Sequence, residues 1–214
     1  ILYVAHFVAD LPQARTYVVG PDGAVVPMLA LGFLTLLLWR GTLRWGGAVA
    51  MVASFVIWSG TERPDVLISD TGTLVGVMTP QGRALSKERG AGFAARNWLE
   101  NDGDGEDQAT AAARWPADSG VIHLSGKRAA AAFGGCTAGQ LVVSSVLLEQ
   151  DRHRCMVHDP ESLRYTGSVS YRQSPDGWVI LQTSRSVAGE RLWTQWPEQK
   201  PPRVFAKTAQ RVEK

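Results

Sequence analysis

The sequence predicts an α+β chain in which a two-helix transmembrane hairpin precedes a mostly β domain. Three observations predict it. Residues 24–39 and 45–58 are uncharged apolar runs. Apolar residues concentrate before Gly60, whereas most of the charge lies after it. Beyond that point, short β-prone segments alternate with Gly, Pro and Asp turn signals.

The first run, AVVPMLALGFLTLLLW, is apolar on every helical face, a pattern suited to lipid or a large core. Pro27 falls in its first turn, where a missing N–H is tolerated. The second run, WGGAVAMVASFVIW, is rich in small residues that allow close helix packing. At 1.5 Å per residue the runs cover roughly 21–26 Å against a hydrocarbon core of about 30 Å, so flanking residues must contribute. Trp39, Trp45 and Trp58 stand at the ends, where indole favours an interface. Arg40 and Arg44 bracket the connection RGTLR, which predicts a cytoplasmic loop and a non-cytoplasmic location for everything after Gly60. A buried hairpin and a signal peptide over residues 40–60 are the alternatives. Ahead of the hairpin, Ile1, Val4, Val8 and Leu11 recur at helical spacing in an amphipathic segment. His6 and Asp10 form an i,i+4 pair on its other face, read as a pore-facing contact or as a solvated face. The chain opens on Ile1 rather than Met, which predicts the C-terminal part of a longer protein.

After Gly60, VLISDTGTLVGVM reads as two strands around an Asp70-Thr71-Gly72 turn. Phe93, Arg96, Asn97, Trp98 and Leu99 suit a short helix whose apolar members bury, and residues 109–114 a second, Ala-rich helix. Further strands are expected at 121–124, 128–133, 140–148, 155–159, 167–172 and 178–183, the last two joined by the turn QSPDG. No internal repeat or heptad pattern is present.

The phrases RPDVLISDTGTLVGVMTPQGRALS, FAARNWLENDGD, CTAGQLVVSS, CMVHDPESL and GSVSYRQSPDGWVILQTSR follow one another in an order that resembles the C-terminal region of ComEC-family DNA internalisation proteins, especially the alphaproteobacterial branch. The resemblance implies a degenerate metallo-β-lactamase-like domain outside a polytopic inner-membrane channel that passes single-stranded DNA during natural transformation. On that reading residues 1–20 close the competence membrane domain and 21–61 form its last hairpin. Residues 62–190 are the periplasmic domain, and 191–214 a tail. Implied partners are single-stranded DNA, membrane lipid, the upstream channel domain of the same protein and other competence proteins. A membrane-anchored envelope protein with a structural or protein-binding β domain is the alternative.

The chain departs from the family's zinc signature HxHxDH. Its histidines are His6, His123, His153 and His158, and none has the HxH spacing. A catalytic zinc site needs three converging ligands, so neither metal nor cofactor is expected and the domain is read as non-catalytic. Ser144, Ser145 and Ser184 lack a nucleophile elbow, and GGCTAG lacks the lysine and spacing of a phosphate loop. DGDGED over residues 102–107 fails the EF-hand pattern, which favours an acidic solvated loop; Asp102-Gly103-Asp104 matches a phrase of the resembled branch. Cys136 and Cys155, the only cysteines, fit one disulfide in a non-cytoplasmic segment, with two free thiols as the alternative.

A net charge of +2 is too small to declare a nucleic-acid binder from bulk electrostatics and leaves room for a local patch. Residues 62–120 are acidic and 121–214 basic. Lys127, Arg128, Arg152, Arg154, Arg164, Arg172, Arg185 and Arg191 are the candidate phosphate contacts. In the tail, Trp193 and Trp196 precede Pro201 and Pro202 and read as a strap or a base-stacking pair.

Overall fold

The computed structural model describes residues 2–11, 16–148, 155–189 and 191. Contacts divide the chain into two units, one of Ile1–Arg63 with Leu99–Gly105, the other of Pro64–Trp98 with the chain from Glu106 onward. Arg152, His153, Arg154, Trp193, Trp196, Pro201 and Pro202 lie outside the described residues.

In the first unit, α1 covers Leu2–Ala9, α2 Val25–Leu38 and α3 Arg44–Ser59. The two apolar runs do form an antiparallel helical hairpin, but not the transmembrane one that the sequence suggests. Its helices have 14 and 16 residues, roughly 21 and 24 Å at 1.5 Å per residue, which falls short of a hydrocarbon core about 30 Å thick. Among the described residues, no helix is long and apolar enough to cross a membrane. Of the flanking residues that were to supply the missing length, only Arg44 and Ser59 join a helix, α3. Trp39 already has extended geometry, Gly41 turns the chain with φ 85°, and α3 stops at Gly60.

Two glycines set how closely the hairpin packs. A Cβ on Gly32 would stand 2.9 Å from the Gly47 carbonyl oxygen, and one on Gly47 would overlap the Gly32 carbonyl and lie 2.7 Å from Leu36 N. Such backbone contact is what small residues permit. The outward faces remain apolar and exposed, with Leu31, Leu37, Val49, Val52 and Val56 each more than 60% accessible.

A short segment is secured beside this hairpin. Val19 pairs with Asp102 in an isolated antiparallel bridge, and Gly20 N donates to Asn101 O at 2.7 Å. Trp58 Nε1 donates to Val19 O at 2.7 Å. Arg63 Nε meets Asp102 Oδ1 at 2.6 Å, with the Asp102 side chain only 2% exposed. Gly103, at φ 75°, is required here, because a Cβ would approach Val19 N to 2.8 Å. Asp102 is therefore not part of a solvated acidic loop; it is a paired, covered carboxylate.

Among the described residues the second unit contains two sheets. Strands β1 (Val66–Ile68), β2 (Val75–Thr79) and β3 (Gly82–Leu85) precede helix α4 (Gly92–Asn101), whose last turn belongs to the first unit. Next come α5 (Gln108–Ala113), β4 (Val121–Leu124), α6 (Gly126–Ala131) and β5 (Leu141–Ser144). The chain ends its described elements with β6 (Met156–His158), α7 (Pro160–Thr166), β7 (Val169–Ser174), β8 (Gly177–Thr183) and α8 (Ser184–Ala188). One sheet has the order β3-β2-β1-β7-β8 and is antiparallel throughout; the other, β4-β5-β6, is parallel. The chain is thus α+β with mixed sheets. The mostly β expectation is corrected by five helices among the described residues, one of them, α6, standing where RAAAAF read as a strand. Its alanines, the best helix formers, lack the branched side chains that favour a pleat.

The sheets bury a common core. Val66, Ile68, Val75, Val77, Val169 and Tyr171 from the antiparallel sheet meet Val121, Leu141 and Val143 from the parallel one, with Leu163 of α7. Alternation in β7 sends Val169 and Tyr171 inward and leaves Ser170 and Arg172 on the other face. All four residues of the central strand β5 are buried, as expected of a parallel strand covered on both faces. On its far side, Leu124, Val142, Leu148 and Cys155 pack against Ala129, Ala130 and Phe133 of α6 and the residues after it. Cys136 and Cys155 form a disulfide there, with Cα atoms 6.1 Å apart. Over the antiparallel sheet, Trp98 of α4 lies against Gly76 and the buried Arg83, where a Cβ on Gly76 would meet Arg83 Cδ at 2.8 Å and Trp98 Cε3 at 3.2 Å.

Candidate functional site

The chemistry-bearing side chains of the second unit converge at the carboxyl ends of the parallel strands. Register places His123 of β4 beside Val143 of β5, and Val143 beside His158 of β6. Residues paired in this way share a face, so both imidazoles point towards the core that contains Val143, two strands or about 9–10 Å apart. Each reaches the opposite sheet. His158 Nε2 shares a hydrogen bond with Tyr171 Oη at 2.5 Å, and His123 Nε2 one with the Gly72 carbonyl at 3.1 Å, in the turn between β1 and β2. That turn lies hard against β5. A Cβ at Gly72 would meet Ser144 O at 2.5 Å, and its φ is 65°.

Burial sets the charge state of these groups. It pushes His158 down to about 4, opposed only in part by the adjacent Asp159 carboxylate. His123 is lowered by burial too, with the Gly72 carbonyl acting against and Lys87 with it. Tyr171 is raised by burial. All three are neutral near pH 7, and their hydrogen bonds join the sheets without placing a charge between them.

The arrangement does not gather metal ligands. Asp159 starts α7, its Oδ1 accepting from Ser162 N at 3.0 Å while Ser162 Oγ accepts from Asp159 N at 2.9 Å, a reciprocal capping box. His158 and Asp159, neighbours in CMVHD, are thereby given separate tasks. Among the described residues no group of three His, Cys, Asp or Glu side chains could hold a metal ion. The serines are engaged as well: Ser144 Oγ donates to Val146 O at 2.7 Å, Ser145 Oγ accepts from Gly126 N at 2.8 Å, and Ser184 Oγ donates to Ser168 O at 3.4 Å.

Of the candidate phosphate contacts, Lys127 and Arg128 are exposed on α6, Arg164 on α7, Arg185 on α8, and Arg191 beyond it; Arg172 is half-buried on β7. Two of them sit on helices that pack against each other. Arg185 Nη1 donates to the Tyr165 backbone carbonyl at 3.5 Å, which ties α8 to α7, the helix that carries Arg164.

The cross-sheet histidines escaped the sequence reading, although β4 and β6 each carry His as the third residue. The signal for Tyr171 was its period-two spacing from Val169. Phe93 was expected to bury and is instead 86% exposed. The chain matches no known family model, and neither a curated protein nor a solved structure is significantly similar to it.

Proposed function

We propose that the chain is the C-terminal part of a bacterial DNA-uptake protein, and that its α/β unit is a non-catalytic guide or support for single-stranded DNA on the periplasmic side of the inner membrane. The resemblance in the order of sequence phrases motivates this reading. The observation that carries it is the exposure of Lys127 and Arg128 on α6, Arg164 on α7 and Arg185 on α8, cations that can follow a phosphate backbone without reading bases. The Cys136–Cys155 bridge supports an oxidising compartment. A non-catalytic role is supported by His123, His158 and the serines already serving structural hydrogen bonds.

The test uses the full chain and a labelled oligonucleotide across a salt series. Arg164→Glu with Arg185→Glu should weaken binding at low salt. It should also reduce the slope of log affinity against log salt by about 1.4, at roughly 0.7 per single-strand phosphate contact. DNA uptake in cells should fall in parallel. An unchanged slope with normal uptake would assign the unit a purely structural role.

A further inference from the structure

We propose that residues 192–196, LWTQW, which lie outside the described residues, dock as an added strand on the open edge of β8 and strap the antiparallel sheet. The inference is independent of the DNA reading above.

Backbone register shows which groups of β8 are open. Asp65 N donates to Tyr171 O at 2.9 Å and Gln173 N to Asp65 Oδ2 at 2.7 Å, so Tyr171 and Gln173 turn their backbone groups towards β1 and Arg172, between them, turns towards β8. Val179 is the register partner of Arg172 and faces back into the sheet, which leaves the N–H and C=O groups of Trp178 and Ile180 pointing outward. Neither main chain has a hydrogen-bond partner there among the described residues. β8 ends the sheet order, whereas α5 packs against β3 at the opposite end. Apolar surface flanks the open edge on both sides. Val179 and Leu181 are 38% and 42% exposed, while Trp178 and Ile180 are half-buried against the core. β8 carries no charged residue to repel a neighbouring strand, a common protection of a free edge.

The occupant follows from where the chain goes next. Gly189, at φ 63°, ends α8, a helix of five residues or roughly 7.5 Å. Three extended residues span about 10 Å, so residue 192 can return to the end of β8 from which α8 departs. The chain then continues to Lys214. LWTQW is uncharged and rich in Trp and Thr, which favour strands, and it stands between Arg191 and Pro197, whose missing N–H closes it. Trp193 and Trp196 are three apart, so in an extended segment their indoles fall on opposite faces, matching the apolar surface on each side of β8. On the outer face a cleft of about 190 Å³, lined by Leu67, Trp98, Ser170, Gln182 and Val187, can receive one of them.

Amide hydrogen exchange on the full chain tests the strap. In the parent, the amides of Trp178 and Ile180 should be protected to a degree independent of protein concentration. Thr194→Pro combined with Gln195→Pro removes two neighbouring N–H groups that point to opposite sides, so one bond to β8 is lost in either register. Exchange at Trp178 and Ile180 should then accelerate about 10-fold or more, while Val179 stays protected by its pairing with Arg172. Trp193→benzoylphenylalanine supplies a second readout that needs no destabilised variant: irradiating the full chain should cross-link residue 193 to β8 within one chain. If the proline pair unprotects Val179 as well, the cross-link decides. Unprotected amides in the parent, protection untouched by the proline pair, or cross-links confined to other elements overturn the proposal. Protection that grows with concentration, or cross-links between chains, overturns it too and assigns the edge to a second copy.

Discussion

Sealed between two sheets, the His158 imidazole can take up a proton only at the expense of the fold that surrounds it. Its folded value of about 4 lies below the ordinary 6.5 because burial disfavours the imidazolium. The unfolded chain therefore binds more protons between those two values. Stability rises with pH across that window and is lost as pH falls from about 6.5 towards 4. The full difference corresponds to about 3 kcal/mol, of which about 2 kcal/mol should be lost by pH 5. With a urea slope of about 2 kcal/mol/M this lowers the unfolding midpoint by about 1 M relative to pH 7.5. His123 adds to the loss in the same direction.

Urea titrations of the full chain at several pH values provide the assay, alongside NMR titration of labelled imidazoles. His158→Gln should flatten the pH dependence even if it lowers stability throughout. Tyr171→Phe, which keeps the imidazole covered, should retain it. An imidazole that titrates near 6.5 in the folded protein, or an unchanged pH dependence in His158→Gln, would refute the argument.

Reducing the Cys136–Cys155 bridge, or replacing both cysteines by Ser, should lower stability by about 3 kcal/mol for a loop spanning 19 residues, read as a shift in urea midpoint; an unchanged midpoint sinks the expectation. Gly47→Val should destabilise the α2–α3 hairpin by at least 1–3 kcal/mol, on the order expected for overpacking, and accelerate amide hydrogen exchange in both helices. Gly46→Ala is the control, because a Cβ at Gly46 meets nothing within 4 Å. Equal exchange in the two variants would show that the glycine contact does not hold the helices together.

Local chemistry made several elements legible. VIHL became β4 over the residues expected, QSPDG turned the chain between β7 and β8, and α4 and α5 formed where short helices were read. Errors arose where a residue's partner is distant in sequence. QLVVSSVLL gave a strand only to Ser144, because the Ser144 hydroxyl bonds locally to Val146 N and O and the backbone leaves the sheet. Parallel pairing of β4, β5 and β6 has no turn signal, since parallel neighbours are joined by long crossovers. The transmembrane-hairpin reading failed on length. Composition identified two apolar helices, but their ends are set by Trp39, Gly41 and Gly60, and each stops short of a span. At the candidate site, the basic residues could be named from sequence. The packing of α7 on α8, which carry Arg164 and Arg185, and the exposure of Phe93 could not, because both depend on how helices meet.

The pairing of Val19 with Asp102 has a consequence for dissecting this gene. A cut before Pro64 would look natural from composition, with an apolar stretch on one side and a charged one on the other. It would nevertheless sever a folding unit. The excised downstream piece would retain Asn101, Asp102 and Gly103 but lose Val19, Gly20 and Arg63, their backbone and ionic partners. The Asp102 carboxylate, covered in the intact chain, would have to be rehydrated or protonated, and the residues that end α4 would lose the bridge to Val19 and the hydrogen bond to Gly20. The upstream piece would be left with Trp58 gripping a segment whose other edge is gone. Complementation by two separately made halves thus requires the stretch Leu99–Gly105 to find its mate in trans, so interdigitation of the chain, rather than the hydropathy break, sets the smallest independently heritable piece.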